Sequence, residues 1–136
     1  MKKSIIRPVI LLVIGLVIAV GSMTFLGPCV HEDGSAGACA QTAKAVCAAG
    51  CLLILLAAPT LWISGPGVRL GLAAASLCAA IQGLVFSAGL LPLCGMGTMR
   101  CRALMQPAML ILFSLALLVS AAGILSEGRA YRKAEK

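Results

Sequence analysis

The chain has 136 residues, 61% of them hydrophobic and 11% charged, with a formal net charge of +7. Soluble globular domains carry about 45–50% apolar and 25% charged residues, so composition excludes that class and points to a membrane protein. The longest stretch between apolar runs, Gly27 to Lys44, is too short to fold outside the bilayer, and residues 1–136 are read as one transmembrane domain.

A helix needs about 20 apolar residues to cross the hydrocarbon, and the first candidate is Pro8 to Leu26. Met1-Lys2-Lys3 ahead of it, with Ala19 and Gly21 within it, loosely mimic a secretion signal. The apolar run is nineteen residues long, whereas a signal core spans roughly 7–15; a retained helix is expected. Pro28 directly before Cys29 argues against a lipoprotein-type cleavage site. The loop that follows holds His31 among Glu32, Asp33 and Gly34, the setting of a solvated turn, and then Cys39.

The second predicted span, Ala45 to Ile63, places Cys47 and Cys51 one turn apart. Cysteine inside an apolar helix behaves as a small hydrophobe, and a packing role is expected for both. "SGPG" at Ser64 to Gly67 reads as a tight turn built from helix breakers. The third span, Leu70 to Leu91, carries Gly71, Ala75, Ala79, Gly83 and Ser87 at four-residue intervals. Such a stripe of small side chains lets another helix approach closely, which matters because lipid tails are as apolar as leucine and burial alone drives no association. Gln82 lies on a different face of this helix, one turn from Cys78, and is read as interhelical glue, a hydrogen bond of about 0.6–2 kcal/mol. The competing reading, a polar path for a transported solute, lacks any Asp, Glu, Lys, Arg or His deep in a span.

"PLCGMGTMRC", residues 92–101, precedes the fourth span, Ala103 to Leu125. Pro28 and Pro92 end the two outgoing helices, and Pro107 falls early in the last one, where a proline removes few hydrogen bonds. Residues 126–136 form a basic tail, with Glu127 far from the loop cysteines; no acid–base pair is visible, and an enzymatic role is not expected.

Cytoplasmic ends of short-looped membrane proteins carry the excess of Lys and Arg. Lys2, Lys3, Arg7, Arg69, Arg129, Arg132, Lys133 and Lys136 fall on one side, against Lys44, Arg100 and Arg102 on the other. Both termini are therefore expected in the cytoplasm of a plasma (inner) membrane protein. Anionic lipid accounts for the positive charge, and no nucleic-acid partner is needed. An internal repeat organises the whole: "LGPC" (26–29), a loop and Cys39 in the half spanning 8–63 match "LPLC" (91–94), a loop and Cys101 in the half spanning 70–125. The expected fold is an all-α four-helix bundle made of two parallel helix-hairpin repeats.

The seven cysteines then divide. Cys29, Cys39, Cys94 and Cys101 fall in outward loops, where an oxidising environment favours disulfides. Of the three pairings, the repeat favours Cys29 with Cys39 and Cys94 with Cys101; cross-repeat pairing is the alternative. Loops of this size gain roughly 2.5–3 kcal/mol in the chain-entropy account. A second class of reading uses the same residues as chemistry. Cys94, Met96, Met99 and Cys101 are soft ligands suited to Cu(I), with His31 as an added imidazole. Thiol exchange normally uses a Cys-x-x-Cys pair; the spacings here are Cys-x9-Cys and Cys-x6-Cys. Neither a metal nor another cofactor is expected.

"FLGPCVHEDGS" (25–35), Cys39, "LCGMGTMRC" (93–101) and Pro107, set between four apolar segments, resemble the bacterial membrane family designated domain of unknown function 4418. The resemblance would cover nearly the whole chain. The family pattern tends to place a Met-x-Cys-His motif in its loops. Here Met99-Arg100-Cys101 is followed by Arg102, and Gly37-Ala38 precede Cys39, which weakens a histidine-dependent metal site. The family has no established activity; some members resemble neighbours of ABC-type permeases of the macrolide-export or lipoprotein-release kind. What the resemblance implies is an accessory role in a membrane complex such as a permease; the small-residue stripe leaves a homo-oligomer as the other partner class, and no enzymatic activity is expected.

Intact-mass analysis under denaturing conditions tests the cysteine partition. Alkylation before reduction is expected to label Cys47, Cys51 and Cys78, and all seven cysteines after reduction. Seven labels without reduction, on protein from an oxidised membrane face, would remove the disulfides.

Overall fold

A computed structural model describes residues 3–24, 39–90 and 101–136, and those residues are helical apart from short connections. Helix α1 is Lys3–Met23, α2 is Cys39–Ala57, and the single turn α3 is Pro59–Trp62. Helix α4 is Pro66–Val85 and passes into a π-helical turn, Phe86–Leu90. A second π-helical turn, Cys101–Met105, leads into α5, Gln106–Ala134. Four stretches are long and apolar enough to cross a membrane: Ile5–Met23, Ala40–Trp62, Pro66–Ala88 and Ala103–Lys133. The protein is thus an all-α, multi-pass membrane protein.

Boundaries differ from the sequence expectation where strong helix formers lie beyond the apolar run. Helix α2 starts at Cys39, six residues before Ala45, because Ala40, Gln41, Ala43 and Lys44 all favour the helix. Cys39 and Cys101, expected in loops, are therefore the first residues of helical segments. The tail is not loose either: α5 continues to Ala134, so Arg129, Arg132 and Lys133 ride on a helix of 29 residues. At 1.5 Å per residue it is about 43 Å long, well beyond the roughly 30 Å of hydrocarbon.

Proline shapes the turn between the second and third spans. Pro59 cannot donate to the α2 ladder, so α2 stops at Ala57 and the chain restarts as α3. The Thr60 hydroxyl donates to the Ala57 carbonyl at 2.6 Å, satisfying an acceptor at the break. Pro66, expected inside the turn, instead opens α4, where its fixed φ suits the first helical position. The turn itself is Ile63–Ser64–Gly65.

Each spanning helix buries one narrow stripe at spacings of three or four residues, doubled at Ala79 and Ala80 on α4. These are Leu11, Ile14, Ile18 and Ser22 on α1, and Ala43, Val46, Ala49 and Leu53 on α2. On α4 the stripe is Ser76, Ala79, Ala80 and Gly83; Met109, Phe113, Ala116 and Ser120 supply it on α5. This is the seam pattern of helices packed nearly parallel or antiparallel. The remaining faces are apolar and exposed, among them Val13, Leu16, Leu55, Ile111 and Leu118. No more than 33% of any spanning window is buried inside the protein, which leaves the rest to lipid.

Small residues set the interhelix distances. A methyl group on Gly15 of α1 would lie 2.8 Å from Cγ1 of Ile54 and 3.0 Å from the Gly50 carbonyl oxygen. One on Gly50 of α2 would meet Ile18 Cγ2 at 2.9 Å and the Gly15 carbonyl oxygen at 3.1 Å. The two backbones touch where each lacks a side chain. On α4, Gly83 holds the edge of the Phe113 ring, and any Cβ there would collide with it. Along α4 and α5, Gly67 faces Tyr131, Ala73 faces Gly123, Ser76 faces Ser120 and Gly83 faces Phe113. Residue numbers rise on one helix as they fall on the other, so the two run in opposite directions. The most extensive contacts are α1 with α2 and α4 with α5, and α2 with α4 and α1 with α5 complete a ring.

Among the described residues, the buried polar side chains are hydroxyls, and they close on nearby groups. Ser76 donates to the Ala73 carbonyl at 2.8 Å and lies 3.1 Å from the Ser120 hydroxyl across the α4–α5 seam. Ser22 and Ser87 bond to carbonyls of their own helices, Ala19 and Gly83.

Gly83→Ala is expected to destabilise the detergent-solubilised protein by about 1–3 kcal/mol, the usual range for overpacking a tight contact. Gly71→Ala, where a methyl group would meet nothing within 4 Å, should be neutral or slightly stabilising. Thermal unfolding of the two variants side by side measures the contrast.

Candidate functional site

Of the loop residues singled out from the sequence, Cys29, His31, Cys94, Met96 and Met99 lie outside the described residues. Among the described residues no three His, Cys, Asp or Glu side chains converge on a position that could hold a metal ion. Cys47, Cys51 and Cys78 are free thiols. Cys47 is half-buried, its Sγ 3.7 Å from the Ala19 carbonyl oxygen on α1. Cys51 and Cys78, by contrast, face outward rather than filling the interior, because the buried stripes of α2 and α4 pass to one side of them.

The small-residue stripe is split by the geometry. Ala79, Gly83 and Ser87 are buried, Ala75 is half-buried and Gly71 is exposed. A strict four-residue interval drifts around a helix of 3.6 residues per turn, and Ser76 and Ala80 carry the seam where the interval leaves it. Gln82 is exposed on the outer side of α4. It borders a shallow groove with Phe86 on its own helix and Ala45, Ala48, Ala49 and Leu52 on α2.

A different constellation appears where the start of α1, the α2–α3 break, the start of α4 and the late turns of α5 come together. Arg7 donates from Nη1 to the Ser126 hydroxyl, tying α1 to α5. Arg69 on α4 faces Glu127 on α5, with Nη2 to Oε1 at 3.9 Å and both side chains about four-fifths buried, 20% and 17% exposed. Arg7, Thr60, Arg69 and Glu127 rim a cleft whose wall is apolar, formed by Leu11, Leu56, Leu72 and Ala73. Its volume is about 40 Å³, room for two or three waters or one small polar group. Two guanidinium groups against one carboxylate leave the rim with a net positive charge. Trp62, 85% exposed, and Tyr131 stand at the same end of the bundle, as interfacial aromatics do.

Sequence reading sorted Arg7, Arg69 and Glu127 by side of the membrane and did not join them. A local signal did exist: Arg69 falls three residues after Pro66 and Glu127 two residues after Leu125, so each sits in the turn where its span meets water. That their turns face one another depends on the α4–α5 register, which no short motif encodes.

The family model for a domain of unknown function, DUF4418, matches residues 11–126, from the first span into the last helix. The chain belongs to the DUF4418 family. No curated protein and no solved structure matches it. In this DUF4418 member the match takes in Arg69 and Ser126, while Arg7 and Glu127 stand just beyond its two ends.

For the Arg69–Glu127 pair, partial burial and a separation beyond hydrogen-bond length place the coupling at the weak end of ion pairs, about 1 kcal/mol or less. A double-mutant cycle on Arg69→Ala and Glu127→Ala, read by thermal unfolding in detergent, should return that value, and it should shrink with added salt.

Proposed function

We propose that this DUF4418 protein is a non-enzymatic accessory subunit of the plasma (inner) membrane that docks sideways against another membrane protein, such as an ABC-type permease, or against its own copies. The proposal includes two helix-hairpin repeats with both termini in the cytoplasm. Its outward loops are closed by Cys29, Cys39, Cys94 and Cys101.

The observation that carries the docking role is Gln82. An amide facing hydrocarbon without a hydrogen-bond partner is costly, so polar side chains on the outer face of a spanning helix mark positions where another helix supplies one. The alanines beside it on α2 allow close approach. The bundle interior supports the same reading: Phe113, Ile18, Leu53 and Met109 are fully buried in it, a filled core rather than a conduit. Orientation is supported by Arg7, Arg69, Arg129, Arg132 and Lys133 on the cleft side of the bundle. The outward surface would then be held in shape by the loop disulfides.

Site-specific photocrosslinking from position 82 in native membranes tests this. The expected product is an adduct with a second membrane polypeptide, and a self-adduct identifies the homo-oligomer. Gln82→Leu should lower recovery of that partner about threefold or more without altering thermal unfolding. Adducts with lipid alone would overturn the docking role.

A further inference from the structure

Helix α4 carries a second seam. The inner one packs on α5, but Ala75, Cys78, Gln82 and Val85 repeat at spacings of three and four on the outer side, where Ala75 is half-buried and the other three are exposed. That spacing, with small side chains around one amide, is what a spanning helix shows to another helix rather than to lipid. Beside it run Ala45, Ala48 and Leu52 of α2, the far wall of the groove that Gln82 borders.

Symmetry and charge identify the occupant. Copies of one chain enter the bilayer in one orientation, so a two-fold axis relating two of them runs along the membrane normal and brings each residue beside it to its counterpart at the same depth. An amide is both donor and acceptor, so Gln82 at that axis is complementary to itself. An unrelated partner would need a polar group of its own at that depth. The cations agree. Ser126, Arg129 and Lys133, at helical spacing, line one side of α5, and Ser126 accepts from Arg7 of α1. In the ring of helices the α1–α5 edge lies opposite the α2–α4 edge, so two copies joined through α2 and α4 hold these charges on their far sides. Lys44, exposed at the outer end of α2, reaches the headgroups on its long stem, where like charges are screened.

We propose that the α2–α4 face is covered by a second copy of this chain, forming a two-fold dimer in which each Gln82 amide donates to the carbonyl oxygen of its counterpart. This rests on the docking role given above to Gln82 and names the partner. Helix α4 of one copy lies along the groove between α2 and α4 of the other, over Ala45 and Ala48, where the backbones come close. The amide pair fixes the register, as a single polar residue in an apolar seam does.

Disulfide trapping of the full chain in native membranes tests the proposal with thiols the protein already has. Cys78 sits one turn from Gln82 on the outer side of α4 and meets its counterpart beside the axis. Cys51 is also exposed, but it follows one turn after Cys47, which touches Ala19 of α1, and stands toward the α1 side of α2. With loop thiols blocked by a membrane-impermeant maleimide, brief oxidation by iodine should give a reducible dimer that Cys78→Ser abolishes and Cys51→Ser leaves unchanged. Gln82→Leu should lower its yield about threefold, and Gln82→Asn should keep part of it. No dimer, or a dimer that survives Cys78→Ser, would overturn the second copy. Single-molecule photobleaching of the labelled parent in liposomes guards against variants that fail to fold: two steps per spot are expected, and single steps at every protein-to-lipid ratio would count against the pairing. A photoadduct from position 82 with a different polypeptide would remove the second copy and leave the docking role, whereas lipid adducts alone would remove both.

Discussion

In a bilayer, helices gain nothing from hiding leucine, so everything in this structure depends on how closely backbones can approach. Two solutions coexist. Helices α1 and α2 meet at Gly15 and Gly50, where neither helix has a side chain and a methyl group on either would press on the other's carbonyl oxygen. Helices α4 and α5 meet where the Phe113 ring fills the notch left by Gly83. The first contact is backbone on backbone, the second knob in hole, and both gain dispersion that lipid tails would not supply as well. The outer faces, left to Val, Leu and Ile, need only match the lipid.

Close approach also governs where polarity can go. With the seams filled, Ser22, Ser76 and Ser87 bond to carbonyls of their own helices, and Ser76 also meets Ser120 across the seam. Larger polar groups stand where the packing opens: Gln82 at the outer groove beside α2, and Arg7, Arg69 and Glu127 at the cleft near the end of the bundle. The polar architecture is thus the complement of the apolar one. A thiol is small enough to sit anywhere, which is why Cys51 and Cys78 can stand on the lipid face.

How much of this could be read in advance follows from the range of each signal. Membrane insertion and the four spans are local, since about 20 apolar residues identify themselves, and the family resemblance rested on short contiguous stretches later matched over residues 11–126. Helix ends were less legible: Cys39 and the basic tail joined helices because propensity, not hydropathy, decides where a helix stops beyond the lipid. Ala79, Gly83 and Ser87 announced a small-residue face, yet an interval of four overshoots the helical repeat, and the seam passed to Ser76 and Ala80. Gly15 and Gly50 carried a quieter signal, an isolated glycine in an otherwise apolar helix. Their meeting, like that of Arg69 with Glu127, is set by register between distant segments.

The interruption of the second span at Ala58 and Pro59 bears on bilayer thickness. An unbroken helix from Ala40 to Trp62 would be about 35 Å long, and in a thinner membrane a rod of that length must tilt and carry its neighbours with it. At Ala58 and Pro59 the ladder loses a donor, the Thr60 hydroxyl takes the Ala57 carbonyl, and Trp62 stands exposed on the turn beyond. The break limits the unbroken part of the span to α2, 19 residues or about 28 Å, close to the roughly 30 Å of hydrocarbon, and the glycine crossing at Gly50 lies within it.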